Sequence, residues 1–266
     1  VEIFLPGDSY DTPEDAPRYL GDRLALGTRW FFLFHFSRIV LKSRRLAIRG
    51  VYNDELWVKA SLEHLRDVEG CGGRFHVRGM NLVRSAGGPL VFIGNHMSTL
   101  ETFVLPCLLV PIQPITFIVK ESLVRHPFFG PIMRSRRPIV VGRRHPREDL
   151  QAVLTQGPKI LGEGTSIIVF PQASRSEVFD PSLFNTLGIK LARKARVGVI
   201  PIALRTDFLG NGRLIKDFGP VRRDRPIHIE FGERLAVHGT GEAQHRTIVR
   251  FIESRLDSWK REEASA

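Results

Sequence analysis

The stretch Pro89-Leu90-Val91-Phe92-Ile93-Gly94-Asn95-His96-Met97-Ser98-Thr99-Leu100-Glu101 runs from unbroken apolar residues into a polar turn and then into helix-forming residues. An apolar run of this kind reads as a strand buried on both faces, as in parallel α/β sheets, whose sites form at the carboxyl ends of strands. A second passage has the same form: Ser166-Ile167-Ile168-Val169 leads into Phe170-Pro171-Gln172-Ala173-Ser174-Arg175-Ser176. In the first passage His96 and Glu101 are five positions apart, roughly 140° around an ideal helix. They meet only if His96 sits in the strand-to-helix turn and Glu101 in the first helical turn. A carboxylate so placed fixes the imidazole tautomer and leaves the other ring nitrogen as a general base. A structural reading stays open beside it, because Ser98-Thr99-Leu100-Glu101 is also a capping box that satisfies backbone donors at a helix start.

Around these two passages, a helix over about residues 53–69 leads to strands near 75–80 and 89–94, a helix over 98–110 and a strand over 115–119. A short Pro/Gly-broken helical stretch, a strand at 138–142, a helix opened by Pro146-Arg147-Glu148-Asp149 and a strand at 166–170 follow. A helix over 182–196, strands at 197–204 and Ile227–Phe231, and a terminal amphipathic helix over 242–261 complete the pattern. The expected fold is α/β, a mixed central sheet flanked by helices. The expected division is an N-terminal helical, membrane-associating segment over residues 1–70 and an α/β domain over 71–266.

With 39 Lys and Arg against 28 Asp and Glu, the 266-residue chain carries a formal charge of +11, which points to anionic partners. No zinc-finger spacing, RNP-type motif or helix-turn-helix signal supports nucleic acid, leaving anionic lipid surfaces and acidic substrates. Residues 18–49 hold eight Lys or Arg and one Asp, together with Trp30, Phe31, Phe32, Phe34 and Phe36. Thr28, His35, Arg38, Lys42, Arg45 and Arg49 draw a polar stripe along one side of a helix. An interfacial membrane anchor, a core-packing helix and a membrane span all remain open for this stretch; Arg29, His35 and Arg38 interrupt it well short of the ~20 apolar residues a span needs. Residues 1–17, with five acids and no bases, read as a disordered or surface-lying lead. No secretory signal is visible, and a first residue that is Val leaves room for a segment upstream.

Cys71 and Cys107 permit neither a disulfide framework nor a zinc cluster, and read as a loop thiol and a buried apolar residue. No H-E-x-x-H, Walker loop or dinucleotide fingerprint occurs, so no metal or nucleotide cofactor is expected.

Four ordered blocks carry a family resemblance. They are Asn95-His96 through Glu101; Lys120-Glu121-Ser122-Leu123 with Pro127-Phe128-Phe129-Gly130 and Arg143 at the strand Pro138-Ile139-Val140-Val141; Phe170 through Ser176; and Val199-Ile200-Pro201-Ile202. The chain resembles the glycerolipid acyltransferases typified by 1-acylglycerol-3-phosphate acyltransferase, over about residues 75–205. The resemblance implies an enzyme that moves a fatty acyl group from acyl-CoA or acyl carrier protein, as cosubstrate, to a hydroxyl of a lysophospholipid. It also implies N-terminal helices docked on a membrane, here placed as peripheral or monotopic on the cytoplasmic face.

His96 is then the expected general base and Glu101 its orienting partner, with Asn95 in support. Lys120, Arg143 and Arg175 are expected to hold an acceptor phosphate, beside Pro171, Gln172 and Ser174. Backbone amides around Pro171–Ser174 are candidates for the oxyanion. Phe103, Leu105, Phe117, Phe128 and Phe129 are candidates to line an acyl groove or, equally, core. Arg134, Arg136, Arg137 and Arg144 read as solvated surface charges. Three departures matter: Glu101 stands for the family's Asp, Gln172 for its Glu, and Asn185 for a Lys after Phe184. The last two leave open a different lipid hydroxyl acceptor, and a lipid-binding protein of the same fold with weak activity is the third reading.

Overall fold

The computed structural model describes residues 5–26, 28–142, 145–172, 174–212 and 219–265. The strands are β1 (Tyr10–Asp11), β2 (Phe75–Arg78), β3 (Val91–Gly94), β4 (Ile115–Lys120), β5 (Ile139–Val141), β6 (Ser166–Val169), β7 (Val199–Arg205) and β8 (Ile227–Phe231). They form one sheet in the order β1-β2-β8-β7-β3-β6-β4-β5. From β7 to β5 every neighbouring pair is parallel. β8 runs antiparallel to β7, β2 parallel to β8, and β1 antiparallel to β2, so the sheet is mixed as expected.

The helices are α1 (Leu20–Leu24), α2 (Arg29–Ile48), α3 (Asp54–Gly70), α4 (Met80–Ala86), α5 (Leu100–Leu109), α6 (Glu121–Arg125), α7 (Gly130–Ser135), α8 (Pro146–Gly162), α9 (Leu187–Ala195) and α10 (Glu242–Ser265). Alternation along each strand sends successive side chains to opposite faces. Phe92, Ile168 and Ile200 pack with Phe36 of α2, Leu65 of α3 and Leu105 of α5. Val91, Ile93, Ile167 and Val169 pack on the other face with Val153 of α8, Leu191 of α9 and Ile252 of α10. Both faces are therefore covered, which is why β3, β6 and β7 are buried at every position and read as continuous apolar runs.

Several expectations change on local chemistry. The strand predicted over 75–80 ends at Arg78, because Gly79 takes φ +80° and turns the chain into α4; a Cβ there would lie 2.3 Å from the Phe231 carbonyl oxygen. The helix predicted over 182–196 is a single 3-10 turn at Pro181–Leu183 followed by α9. Asn185 separates them, its Oδ1 accepting from Leu187 N and its Nδ2 donating to the Pro171 carbonyl.

The acidic lead is not loose where it is described. β1 adds an edge strand, Thr12 exchanges hydrogen bonds with Phe75, and Tyr10 and Thr12 both donate to Glu69 of α3 at 2.6 Å. The aromatic residues of α2 divide between core and surface: Phe32 and Phe36 are buried, whereas Trp30 and Phe34 are 66% and 67% exposed. His35 of the polar stripe faces Asp67 of α3 at 3.3 Å. No helix among the described residues is long and apolar enough to cross a membrane.

Arg136 is not a solvated charge. It lies against the Tyr52 and Trp57 rings at 5.3 and 5.2 Å and bonds Asp54 Oδ1 at 2.6 Å. Arg134 and Arg137 are exposed, and Arg144 lies outside the described residues. Cys71 is no loop thiol: it closes α3, buried, and burial pushes its thiol and that of Cys107 up to about 12, leaving both inert.

Candidate active site

Because β7, β3, β6 and β4 are parallel neighbours, their carboxyl ends share one edge of the sheet. His96 follows β3, the Phe170–Ser176 segment follows β6, Thr206 follows β7, and Lys120 ends β4. The sheet thus assembles residues more than a hundred positions apart.

His96 lies in the turn before α5 and Glu101 in its first helical turn. The imidazole Nδ1 is 2.8 Å from Glu101 Oε1. That oxygen also accepts from Met97 N at 2.8 Å and Ser98 N at 3.1 Å. Glu101 Oε2 accepts from the Thr206 hydroxyl at 2.5 Å, and Ser98 Oγ lies 3.1 Å from the same oxygen. Ser98 Oγ in turn receives the Leu100 amide at 3.0 Å. The two readings of Ser98-Thr99-Leu100-Glu101 thus coincide, since the carboxylate that closes the capping arrangement on Ser98 N also faces the histidine.

Glu101 is fully buried. Burial alone would raise its carboxyl, but the hydrogen bond and charge of His96, then the Thr206 hydroxyl, hold it below the usual carboxylate range. An ionised carboxylate only accepts, so the proton on the shared line belongs to Nδ1, and in the neutral ring Nε2 carries the lone pair. Phe170 stacks on the imidazole, ring centroids 4.5 Å apart and planes 8° from parallel. The ring is held from two directions yet its side chain remains 15% exposed, and among the described residues no group hydrogen-bonds Nε2.

The backbone around His96 is fixed by the neighbouring segments. Its amide donates to Gln172 Oε1 at 2.6 Å, and its carbonyl accepts from Ser176 N at 2.9 Å. Asn95 spans to β7, its Nδ2 donating to Leu204 O at 2.7 Å and its Oδ1 accepting from Leu204 N at 2.9 Å. Asn211 Nδ2 donates to the Met97 carbonyl at 3.1 Å, while Glu177 accepts from Asn211 N at 3.4 Å and from Arg222 at 2.7 Å.

The sequence-derived residues therefore fall into three groups. His96, Glu101, Asn95 and Gln172 meet directly, Gln172 buried against the histidine backbone. Pro171, Ser174 and Arg175 stand on the adjoining segment, Pro171 buried, Ser174 exposed and Arg175 half-buried. Lys120 is exposed at the end of β4, two strands from β3 and so about 10 Å away across the sheet. Arg143 lies outside the described residues, as does Ala173 among the oxyanion candidates. Of the groove candidates, Phe103 and Phe129 join Phe36 in a ring cluster, Leu105 is core, Phe117 stacks towards Phe170, and Phe128 is exposed. Sequence reading missed Thr206, Asn211, the stacking of Phe170 on His96 and the contact of Ser98 Oγ with Thr206. Thr206 had one available signal, a hydroxyl at the exit of a buried strand.

The Acyltransferase family model matches residues 74–205, ending one residue before Thr206. A 1-acyl-sn-glycerol-3-phosphate acyltransferase of Pseudomonas aeruginosa is 29% identical over 203 residues, covering 76% of this chain and 73% of the relative. One from Chlamydomonas reinhardtii is 31% identical over 174 residues, 65% of this chain and 47% of the relative. The crystal structure of the 1-acyl-sn-glycerophosphate (LPA) acyltransferase PlsC from Thermotoga maritima shares the fold at a TM-score of 0.63 and 18% identity, over 90% of this chain and 97% of that one. The chain matches the Acyltransferase family model over residues 74–205, is similar to these 1-acyl-sn-glycerol-3-phosphate acyltransferases, and has the mixed α/β fold of the PlsC structure.

Proposed function

We propose that this acyltransferase moves a fatty acyl group from an acyl thioester to the hydroxyl of a lysophospholipid, with 1-acylglycerol-3-phosphate as the first acceptor to test. The carrying observation is the imidazole held at 2.8 Å by a buried carboxylate at the shared strand edge, with Nε2 bonded to no group among the described residues. The names of the relatives support the acceptor. His96 Nε2 takes the acceptor's hydroxyl proton as that oxygen attacks the thioester carbonyl. The tetrahedral intermediate collapses, the carbon–sulfur bond breaks, and the thiolate leaves with the proton returned by the imidazolium. Glu101 stays ionised throughout and stabilises the imidazolium. A thiolate is a good leaving group near its ordinary pKa of about 8.5, so one base suffices.

Arg175, Lys120 and Arg143 hold the acceptor phosphate, a planar guanidinium donating two parallel hydrogen bonds. Ser174 and Pro171 shape the same wall. The donor, acyl-CoA or acyl carrier protein, acts as cosubstrate, and no resident cofactor is invoked. The protein works at the cytoplasmic face of a membrane, resting on the exposed Leu20, Leu24, Leu26, Trp30 and Phe34 among the cations of residues 18–49. An acceptor other than 1-acylglycerol-3-phosphate is favoured by one observation: Gln172 and Asn185 bring amides where the family pattern brings charge, and both are bonded to backbone.

The test is a transfer assay with acyl-CoA and acyl carrier protein donors against a panel of lyso-acceptors on anionic vesicles. Transfer to 1-acylglycerol-3-phosphate supports the first acceptor, and transfer only to another supports the second. Vesicle binding without thioester consumption on any acceptor contradicts the enzymatic reading. Added salt is expected to weaken vesicle binding by screening the basic segment.

A further inference from the structure

We propose that Thr206, at the exit of β7, is a positioning residue that sets where Glu101 holds the His96 ring; the proposal rests on reading His96 as the base. Thr206 and Glu101 are both fully buried, and the Thr206 hydroxyl donates to Glu101 Oε2 at 2.5 Å. The hydroxyl has one hydrogen, and giving it to the carboxylate leaves its lone pairs to receive Ser98 Oγ at 3.0 Å. A directed chain results: Leu100 N–H to Ser98 Oγ, Ser98 to Thr206, Thr206 to Glu101 Oε2, and His96 Nδ1–H to the other carboxylate oxygen. Bonds in such a chain polarise one another in a buried setting.

Thr206 is itself anchored. Arg205 before it is buried and reaches Glu263 of α10 at 2.6 Å and Asp207 at 3.6 Å, and the Thr206 carbonyl accepts from Leu209 N at 3.3 Å. The hydroxyl therefore reports the position of β7 and α10 to the carboxylate. This explains the longer side chain at position 101. Glutamate places its carboxyl one methylene further from its own backbone than aspartate, far enough to be gripped from β7 while still facing His96. An aspartate at 101 withdraws from Thr206, and the contact loses its purpose.

The experiment measures kcat and KM with one acyl donor and acceptor for H96A, T206V, T206S, T206A, E101D and E101D/T206V, with thermal midpoints for each. T206V is expected to lower kcat by about 10- to 100-fold while KM moves less than about threefold, because a mispositioned base affects the transition state more than binding. T206S restores the hydroxyl and is expected to recover kcat to within about threefold of the parent. In the E101D background, adding T206V is expected to cost less than about twofold, the mark of a shared contact. If T206V does not fold, T206A against T206S gives the same comparison in a smaller side chain. Silent H96A with T206V at parental kcat overturns this role and leaves the base reading standing. Active H96A removes the base reading and this role with it. A Thr206→Ser chain that folds but stays as slow as T206V also overturns the proposal.

Discussion

The molecule pairs a histidine with a carboxylate at two places on one sheet. At the end of β3, His96 Nδ1 lies 2.8 Å from Glu101; at the outer edge, His76 Nδ1 of β2 lies 2.7 Å from Asp11 of β1. Distance does not separate them. Asp11 is 49% exposed and shares its oxygen with Arg78 at 2.8 Å, whereas Glu101 is fully buried and receives three further donors, Met97 N, Ser98 N and Thr206 Oγ1. Burial would raise Asp11 too, but Arg78 and then His76 hold it below its usual range. The outer ring stacks on His228, whereas the inner one stacks on Phe170 at a strand exit. A carboxylate orients a histidine for chemistry when its own position leaves no freedom; at the edge, solvent and a competing guanidinium supply that freedom.

Breaking the inner pair should have the largest effect. His96→Ala is expected to lower kcat by ~10²–10⁴ with the fold retained, and His76→Ala to leave it within about twofold, measured in the same transfer assay. Removing the carboxylates sharpens the contrast in stability. Glu101→Ala leaves buried amides and a hydroxyl without an acceptor and should cost about 3 kcal/mol or more in urea unfolding, whereas Asp11→Ala should cost about 1 kcal/mol or less.

A third kind of histidine stands on α3. His64, buried against Phe36 and Phe103, has no carboxylate partner among the described residues, and burial pushes it down to about 3. Its folded value lies below its unfolded one, so the unfolded chain takes up the proton first as pH falls. Stability should therefore be full above about pH 6.5 and decline towards pH 3, by up to about 1.4 kcal/mol for each pH unit. His64→Phe should flatten that slope in urea midpoints measured across the window. Glu101 adds to the same acid loss, because its folded carboxyl lies below the unfolded value and its stabilisation disappears as pH falls through the folded one.

The smallest effect is expected at the edge. Raising salt should weaken the exposed Asp11–Arg78–His76 contacts and change the thermal midpoint little, while the buried pair should keep its activity per bound substrate.

Much of the fold was legible because buried parallel strands write themselves as apolar runs: β3, β6 and β7 emerged from Leu90–Ile93, Ile167–Val169 and Val199–Leu204. The His96–Glu101 meeting was also legible, since spacing five demands a turn followed by a helix start. What sequence could not supply was strand order. Thr206 is 105 positions from Glu101 and touches it only because β7 pairs with β3. The two-residue β1 was hidden for a similar reason, as Tyr10-Asp11 carries no apolar period and is held by β2 and Glu69. Arg136 read as a surface charge because its cage, Tyr52 and Trp57, belongs to a distant segment.

The central claim is that Glu101 keeps the proton on Nδ1 and leaves Nε2 as the base. Nitrogen-15 spectra of histidine-labelled protein near neutral pH, with His96 assigned by its loss in His96→Ala, test this directly. A one-bond proton coupling at Nδ1 of His96 and an unprotonated Nε2 are expected. A proton resting on Nε2, with Nδ1 bare towards Glu101, would contradict it.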